Sequence, residues 1–414
     1  MRAFFGKHRA GAVFISLLCI EAGMLGILAN CTGILFSAVI AEFGFRAGDL
    51  SLYYLIRSLT AAASCGVLTR LFFEHNAKAV ITAVGAVSAV AFGLMSNFNS
   101  LWQWYLSALF SGIGISFILV MLPIVINNWF SKNNGLLIGL AMSASGVAGA
   151  GYGQVCSALI SRYGWRTATV ITAVAGFLVA VIPALLFLRA APKLDPAAVR
   201  AQEAAARAQL HAGQAGQQVA RWVFPLCAGA LIGVASFANL SNQMPIYAQS
   251  LHYSLEAGAT LASLTMLGNV AGKLSIGVLA DRIGAYRATK LLVMLVGCAL
   301  LLLVFATGLL PVLYVAALLF GTIYAMGTTV PALLLLDLYG KEHYKPKVSR
   351  YQSLSAVIAA CAGALLPYLY DFTGSFAVVF VLGAAVCALA LPALGVLHRY
   401  SDRQRAQAAQ KKAA

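Results

Sequence analysis

Apolar residues dominate the chain in twelve long runs that are separated by short polar segments. A helix needs about 20 apolar residues to cross the hydrocarbon of a bilayer. The runs that approach or exceed this length are 11–40, 52–73, 80–95, 101–130, 136–160, 167–188, 222–247, 259–280, 291–309, 312–336, 354–370 and 376–396. The pattern therefore predicts an all-α membrane protein with twelve transmembrane helices.

The runs divide into two groups of six. The segment 189–221 between them is rich in Ala, Gln and Arg and is too polar to span a membrane. The sequence from Gly66 to Arg70, GVLTR, recurs as GVLAD from Gly277 to Asp281. We therefore predict two six-helix halves, 1–188 and 222–397, a cytoplasmic linker at 189–221 and a cytoplasmic tail at 398–414. Parallel repeats of this kind are typical of secondary transporters.

Composition and charge agree with a membrane protein. Hydrophobic residues make up 61% of the chain and charged residues 10%, an apolar excess that a soluble core cannot hide. The net charge of +16 would suit nucleic acid, but 23 of the 28 Lys and Arg residues lie in the termini and alternate loops. The opposite loops hold three. The positive-inside rule then places both termini in the cytoplasm, and the charge signals topology, so no nucleic-acid partner is expected.

Motifs of catalysis do not occur. The cysteines and histidines lack metal-ligand spacing, and there is no phosphate-cradling Gly-Lys-Ser/Thr sequence. We expect no enzyme, no metal and no cofactor.

Two cations remain inside predicted spans, Lys273 and Arg57. A lysine in hydrocarbon costs about 2.5 to 3.5 kcal/mol on insertion scales, so it must face a water-filled cavity or a counter-charge. Measured from the loop glycines Gly66 and Gly277, the two charges differ in depth by roughly 7 to 8 Å. They would suit one or two carboxylates of a substrate. The structural alternative is that Arg57 snorkels or pairs with Glu21.

Glu21 lies about 15 Å into the first span by helical rise. An isolated buried carboxylate tends to take up a proton. Glu21 would therefore couple transport to protons, or it would neutralise Arg57 or Lys273.

Polar side chains in other spans are further candidates. The seventh span carries Asn239, Asn242 and Gln243 beside Pro245, which can break a helix where it lines a cavity. At α-helical spacing Asn239 and Gln243 share a face. These amides would bind substrate or join helices. Weaker candidates, with packing as the alternative, are Tyr152, Gln154 and Tyr324.

The segment Gly277–Arg287, GVLADRIGAYR, resembles the cytoplasmic-loop signature of the major facilitator superfamily. The sequence YGWR, which ends at Arg166, also resembles that superfamily. The first-half copy departs from the signature, since Arg70 stands at the usual Asp position. The resemblance implies a transporter that works by alternating access. We expect its loop charges, Asp281, Arg282 and Arg287, to act as a gate.

Three stretches resemble the oxalate/formate antiporter and monocarboxylate transporter branch of that superfamily, 33–46, 128–141 and 269–273. The resemblance places Lys273 at the branch's substrate-binding arginine and Asn269 at its partner position. Asn30 aligns with the lysine that monocarboxylate transporters carry in the first span. Lysine offers a point charge where arginine binds a carboxylate through two parallel hydrogen bonds.

We therefore predict a secondary active transporter of small mono- or dicarboxylates, working as a proton symporter or an anion exchanger. It would be a monomer in the cytoplasmic (inner) membrane of a bacterium, with the lipid bilayer and protons as its other partners. One alternative is a drug/proton exporter of the same fold, which requires a dominant carboxylate in the cavity. The other is a non-transporting membrane sensor, a class that carries an extra cytoplasmic domain.

Overall fold

The computed structural model describes residues 2–74, 77–130, 134–188 and 219–413, with some helical positions described by their backbone alone. Within these ranges all regular structure is helical. A spanning helix satisfies each backbone amide and carbonyl inside its own segment, which the dry interior of a bilayer requires. Residues 189–218, most of the predicted linker, lie outside the described residues. Residues 398–413 of the predicted tail are helical.

Six spans precede residue 189. They are Arg2–Glu21 continued by Ala22–Ala29 and Thr32–Phe43, then Ala47–Glu74, Ala77–Leu94 with the short turn Met95–Asn97, Leu101–Trp129, and the fifth and sixth spans inside Asn134–Phe187. The last element breaks at Gly164, whose φ of 78° separates two helices. A residue without a Cβ adopts this left-handed conformation without steric cost.

Six more spans follow residue 218. They are Val223–Ala235 continued by Ser236–Gln243 and Met244–Ser250, then Leu255–Ile283, Ala285–Phe305, Leu310–Gly321 continued by Tyr324–Gly327, Thr329–Thr373, and Phe376–Ala413. Thr329–Thr373 breaks at Gly340, with a φ of 71°. The part before Gly340 completes the tenth span, and the part after it is the eleventh.

Each of the twelve predicted apolar runs coincides with one of these helical spans, so the predicted fold class is confirmed. Ten helices among the described residues are long and apolar enough to cross a membrane. One of the ten, Leu137–Phe187, contains two spans that meet at Gly164. The second span, Ala47–Glu74, is the remaining one, and it carries the charged residues Asp49 and Arg57.

The described chain forms two compact units. The first comprises Met1–Val199 with Ser241–Leu267, and the second comprises Arg200–Leu240 with Gly268–Ala414. In the first unit the buried rings of Phe36, Tyr53 and Trp104 meet edge to face, with Phe36 5.3 Å from Tyr53 and 5.5 Å from Trp104. This ring cluster joins the first, second and fourth spans.

In the second unit the eighth span packs closely on the tenth through two glycines. An added Cβ on Gly272 would lie 2.7 Å from the Cα of Thr322, and one on Gly268 would overlap the carbonyl oxygen of Leu318. Small residues four apart let two helix backbones approach in this way. The contact fixes the rotation of the eighth span, and with it the positions of Asn269 and Lys273, which follow the two glycines directly.

Replacing Gly268 by alanine should lower the melting temperature, because the new methyl group overlaps the Leu318 carbonyl. Overpacking of this kind costs about 1 to 3 kcal/mol. The control is Gly229→Ala in the seventh span, where nothing lies within 4 Å of an added Cβ. Thermal unfolding of the two purified variants in one detergent measures the difference, and equal melting temperatures would contradict the proposed contact.

Candidate functional site

The first span changes its helical form at its centre. Residues Ala22–Ala29 are π-helical, and the amide of Asn30 donates to the carbonyl of Leu25, five residues earlier, at 3.0 Å. Such segments occur frequently at functional sites because they loosen the regular ladder of hydrogen bonds. Glu21, which is only 2% exposed, precedes the π-helical segment directly, and Asn30 follows it directly.

Asn30 joins the first span to the fifth. Its side-chain Nδ2 donates to the carbonyl oxygen of Ser145 at 3.1 Å. An added Cβ on Gly149 would lie 2.6 Å from the same Nδ2, so a larger residue there would displace the Asn30 side chain. The observed contact of Asn30 is therefore interhelical, and its role toward substrate stays a prediction.

The seventh span also departs from the α-helix, over Ser236–Gln243, which is a 3₁₀-helix. Three residues per turn place positions four apart about 120° apart around the axis. The prediction that Asn239 and Gln243 share a face is therefore wrong. Pro245 follows the break in the first turn of Met244–Ser250, where a missing N–H costs no hydrogen bond.

The amides of this segment bond to different spans. Asn239 donates from Nδ2 to the carbonyl oxygen of Ala359 at 2.7 Å, and Gln243 donates from Nε2 to Oγ of Ser51 at 3.1 Å. The Oε1 atom of Gln243 is buried and accepts no hydrogen bond from the described residues. The backbone of Asn242 lies against Gly33, so close that an added Cβ would overlap its carbonyl oxygen.

Arg57 packs on two buried tyrosines of its own helix. Its Cζ atom lies 4.9 Å from the ring centroid of Tyr54 and 5.7 Å from that of Tyr53. Cation–π contacts of this kind attract the guanidinium electrostatically. One terminal nitrogen, Nη1, is buried and has no hydrogen-bond acceptor among the described residues. A buried donor without a partner costs about 1 to 3 kcal/mol, and more when it is charged, so this nitrogen favours an anionic ligand. The alternative that Arg57 pairs with Glu21 stays a prediction.

Lys273 and Asn269 lie one helical turn apart in the eighth span, and both are half-buried. The Oδ1 atom of Asn269 is buried and accepts no hydrogen bond from the residues that the structure describes. A cationic donor and an unused acceptor on one helix face can hold a carboxylate and a nearby hydroxyl of the same small molecule.

The remaining polar candidates make contacts within their own units. Tyr152 donates to Oγ1 of Thr172 at 3.4 Å, and Gln154 donates to Oγ of Ser263 at 3.1 Å. These bonds favour the packing alternative for both residues. Tyr324 is half-buried. It is the first residue of the short helix Tyr324–Gly327, which follows the interruption of the tenth span.

The predicted gate residues lie at a tight turn. Asp281 and Arg282 are exposed at the end of the eighth span, and Arg287 is exposed at the start of the ninth. Gly284 joins the two helices with a φ of 87°. Their gating role stays a prediction.

A polar cluster that the sequence did not predict lies in the first unit, where the first span ends and the sixth begins. Trp165 and Arg166 both donate to the Glu42 carboxylate, with Arg166 Nη1 2.6 Å from Oε1. Arg166 also donates from Nη2 to Oδ1 of Asn99 at 3.3 Å. The cluster links the end of the first span to the start of the sixth. The opposite charges of Glu42 and Arg166 on one predicted membrane side are the signal that could have indicated it.

In the described part of the chain, twelve apolar helical spans, three of them interrupted by non-α segments, and cations inside two spans are typical of a polytopic membrane transporter. The sequence model of the Major Facilitator Superfamily matches residues 18–345 and 226–414. The chain belongs to this superfamily, so it is a multi-pass transporter of a small molecule and not an enzyme. This confirms the superfamily resemblance found in the sequence.

Two relatives are similar at low identity. An uncharacterized MFS-type transporter of Escherichia coli (strain K12), YhjX, is 24% identical over 271 residues, which are 64% of this chain and 65% of that protein, just under two thirds of its length. Monocarboxylate transporter 13 of Rattus norvegicus is 23% identical over 384 residues, 90% of this chain and 85% of the rat protein.

Solved transporter structures share the fold. A mutant of the nucleoside transporter NupG superposes with a TM-score of 0.73 at 10% identity, over 93% of this chain and 99% of that one. A bacterial homologue of the human lysosomal transporter Spinster, inward-facing and unoccupied, gives 0.59 at 14% identity, over 96% and 95% of the two chains.

Replacing Asn239 by alanine should destabilise the protein, because the Ala359 carbonyl loses its donor. The expected loss is about 1 kcal/mol. Asn242→Ala, in the same 3₁₀-helical segment, is the control, and its loss should be smaller. Chemical or thermal unfolding of both variants measures this, and a larger loss in the control would contradict the assignment.

Proposed function

We propose that the protein moves small mono- or dicarboxylates across the inner membrane by alternating access, as a monomer with both termini in the cytoplasm. The observation that carries this proposal is the buried Nη1 atom of Arg57, a guanidinium donor without an acceptor among the described residues. Lys273 supplies a second cation, in the other compact unit, beside the unused acceptor of Asn269.

The chemistry follows from the cost of charge in a low-dielectric interior. Each cation is most easily desolvated when an anion neutralises it. A carboxylate that binds Arg57 or Lys273 therefore lowers the free energy of occluding that cation from water. Substrate binding would in this way favour the closed intermediate through which alternating access proceeds.

Asn269 refines the substrate class. Its Oδ1 atom, which accepts no hydrogen bond from the described residues, is available to a ligand donor one helical turn from Lys273. This pair favours a carboxylate that also bears a hydroxyl donor over an unsubstituted one. The name of the rat relative, a monocarboxylate transporter, supports the same class.

Two coupling modes remain open, and Glu21 distinguishes them. A carboxyl group that is 2% exposed changes its protonation only when the protein exposes it to water, which is what a proton symporter requires. In an anion exchanger the same residue would serve to offset a nearby cation. The spacing of Asn269 and Lys273, which resembles that of the antiporter branch, favours exchange.

Lys273→Gln should abolish carboxylate uptake into proteoliposomes while the protein remains folded, because glutamine keeps a polar hydrogen-bonding side chain but removes the charge. The substrate panel is labelled monocarboxylates, 2-hydroxycarboxylates and dicarboxylates. Lys290→Gln, a half-buried cation near the start of the ninth span, is the control and should retain uptake. Unchanged carboxylate flux in Lys273→Gln would contradict the proposal, and efflux of organic cations by the wild type would favour the exporter.

Asn269→Leu should reduce uptake of 2-hydroxycarboxylates more than that of the matching unsubstituted acids, since only the former lose a hydrogen bond. The difference should be about fivefold to tenfold in kcat/KM, which corresponds to a bond of about 1 kcal/mol. Equal losses for both substrates would assign Asn269 to packing.

Glu21→Gln should remove stimulation of uptake by an imposed proton gradient but spare exchange against preloaded anion, if the protein is a symporter. Glutamine retains the shape of a protonated carboxyl group and cannot titrate. Stimulation of the wild type by internal anion, with no response to the proton gradient, would identify exchange and leave Glu21 a structural role.

A further inference from the structure

A second polar site lies at one end of the second unit, away from the candidate substrate residues. A cavity of about 320 Å³ opens between the start of the seventh span, the end of the tenth and the start of the eleventh. Three cationic side chains line it, those of Arg221, Lys347 and Arg350. All three belong to segments that the charge pattern assigns to the cytoplasmic face.

Aromatic rings hold two of these cations at the cavity wall. The Nζ atom of Lys347 lies 5.2 Å from the ring centroid of Tyr339 and 5.5 Å from that of Phe224. The Cζ atom of Arg350 lies 5.5 Å from the same Phe224 ring. Cation–π contact orders long side chains that would otherwise extend into water.

Contacts of its two neighbours with Tyr400 position the segment that contains Arg221. The backbone amide of its neighbour Ala220 donates to the hydroxyl of Tyr400 at 2.9 Å, and the Trp222 ring packs edge to face on Tyr400 at 5.3 Å. The segment before the seventh span is thus anchored on both sides of Arg221.

No residue that lines the cavity is acidic, so the lining does not neutralise the positive charge of the three cations. Lys347 and Arg350 stand three positions apart on one helix, where like charges repel. Two acidic groups of neighbouring helix ends that the structure describes have contacts of their own: Asp337 accepts from Ser401 Oγ at 2.6 Å, and Asp402 lies 3.5 Å from Nε2 of His398. An anion in the cavity would relieve the repulsion.

We propose that this cavity binds a phosphate group, carried by an anionic phospholipid or by a soluble phosphate. A phosphate offers several acceptor oxygens to converging cations, and basic pockets between helix ends on the cytoplasmic side suit lipid headgroups. Topology alone requires basic residues in these loops, but it requires neither their convergence on one cavity nor their aromatic supports. The proposal is independent of the transported substrate.

The test uses the full-length protein, purified and delipidated, and measures melting temperature and bound lipid mass. The probes are phosphatidylglycerol, phosphatidylcholine as the neutral lipid, and inorganic phosphate against chloride at equal ionic strength. The variant is Lys347→Gln with Arg350→Gln. Arg399→Gln, an exposed cation of the twelfth span outside the cavity, is the control.

Phosphatidylglycerol should raise the wild-type melting temperature where phosphatidylcholine does not, and the double variant should bind it about tenfold more weakly, as expected for lost charge-assisted contacts. A rise with inorganic phosphate would assign the site to a soluble phosphate. Lys347→Arg, which keeps the charge, should retain binding even if the double variant folds poorly. The proposal is overturned if neither probe binds the wild type, or if Arg399→Gln weakens binding as much as the double variant.

Discussion

The cost of placing charge inside a membrane span governs the candidate chemistry of this protein. The guanidinium of Arg57 packs against two tyrosine rings. One of its nitrogens is buried and has no acceptor in the described chain. Lys273 sits half-buried on a helix whose rotation is fixed by Gly268 and Gly272. Charged residues inside a membrane span are costly and therefore mark candidate functional sites.

Polar contacts between helices also accompany the interruptions of the first, seventh and tenth spans. Where the first, seventh and tenth spans depart from the α-helix, side-chain to backbone hydrogen bonds join them to other helices. Asn30 donates to Ser145, Asn239 donates to Ala359, and the hydroxyl of Tyr351 donates to the carbonyl of Met326 at 2.9 Å. Irregular backbone at membrane depth is tolerated only where such partners or water are present. The interruptions are therefore places where the helices are held by polar contacts and can change shape.

Much of this fold follows from the sequence, because bilayer thickness sets a length that apolar runs must match. The twelve apolar runs and the two cations inside them follow from the sequence alone. Helix periodicity failed inside the seventh span, because a change from 3.6 to 3 residues per turn leaves no local signature in Ser236–Gln243. The Glu42–Arg166 contact also escaped prediction, since residues so far apart in sequence meet only through the packing of whole helices.

The central claim, that buried cations bind a carboxylate, is tested most directly by equilibrium binding to the purified protein. Calorimetry would compare a carboxylate, its neutral amide and the corresponding amine, with wild type and with Arg57→Gln combined with Lys273→Gln. The account predicts that the wild type binds the carboxylate alone and that the double variant, folded by its melting curve, binds none of the three. Equal carboxylate affinity in the double variant, or preference for the amine, would contradict it.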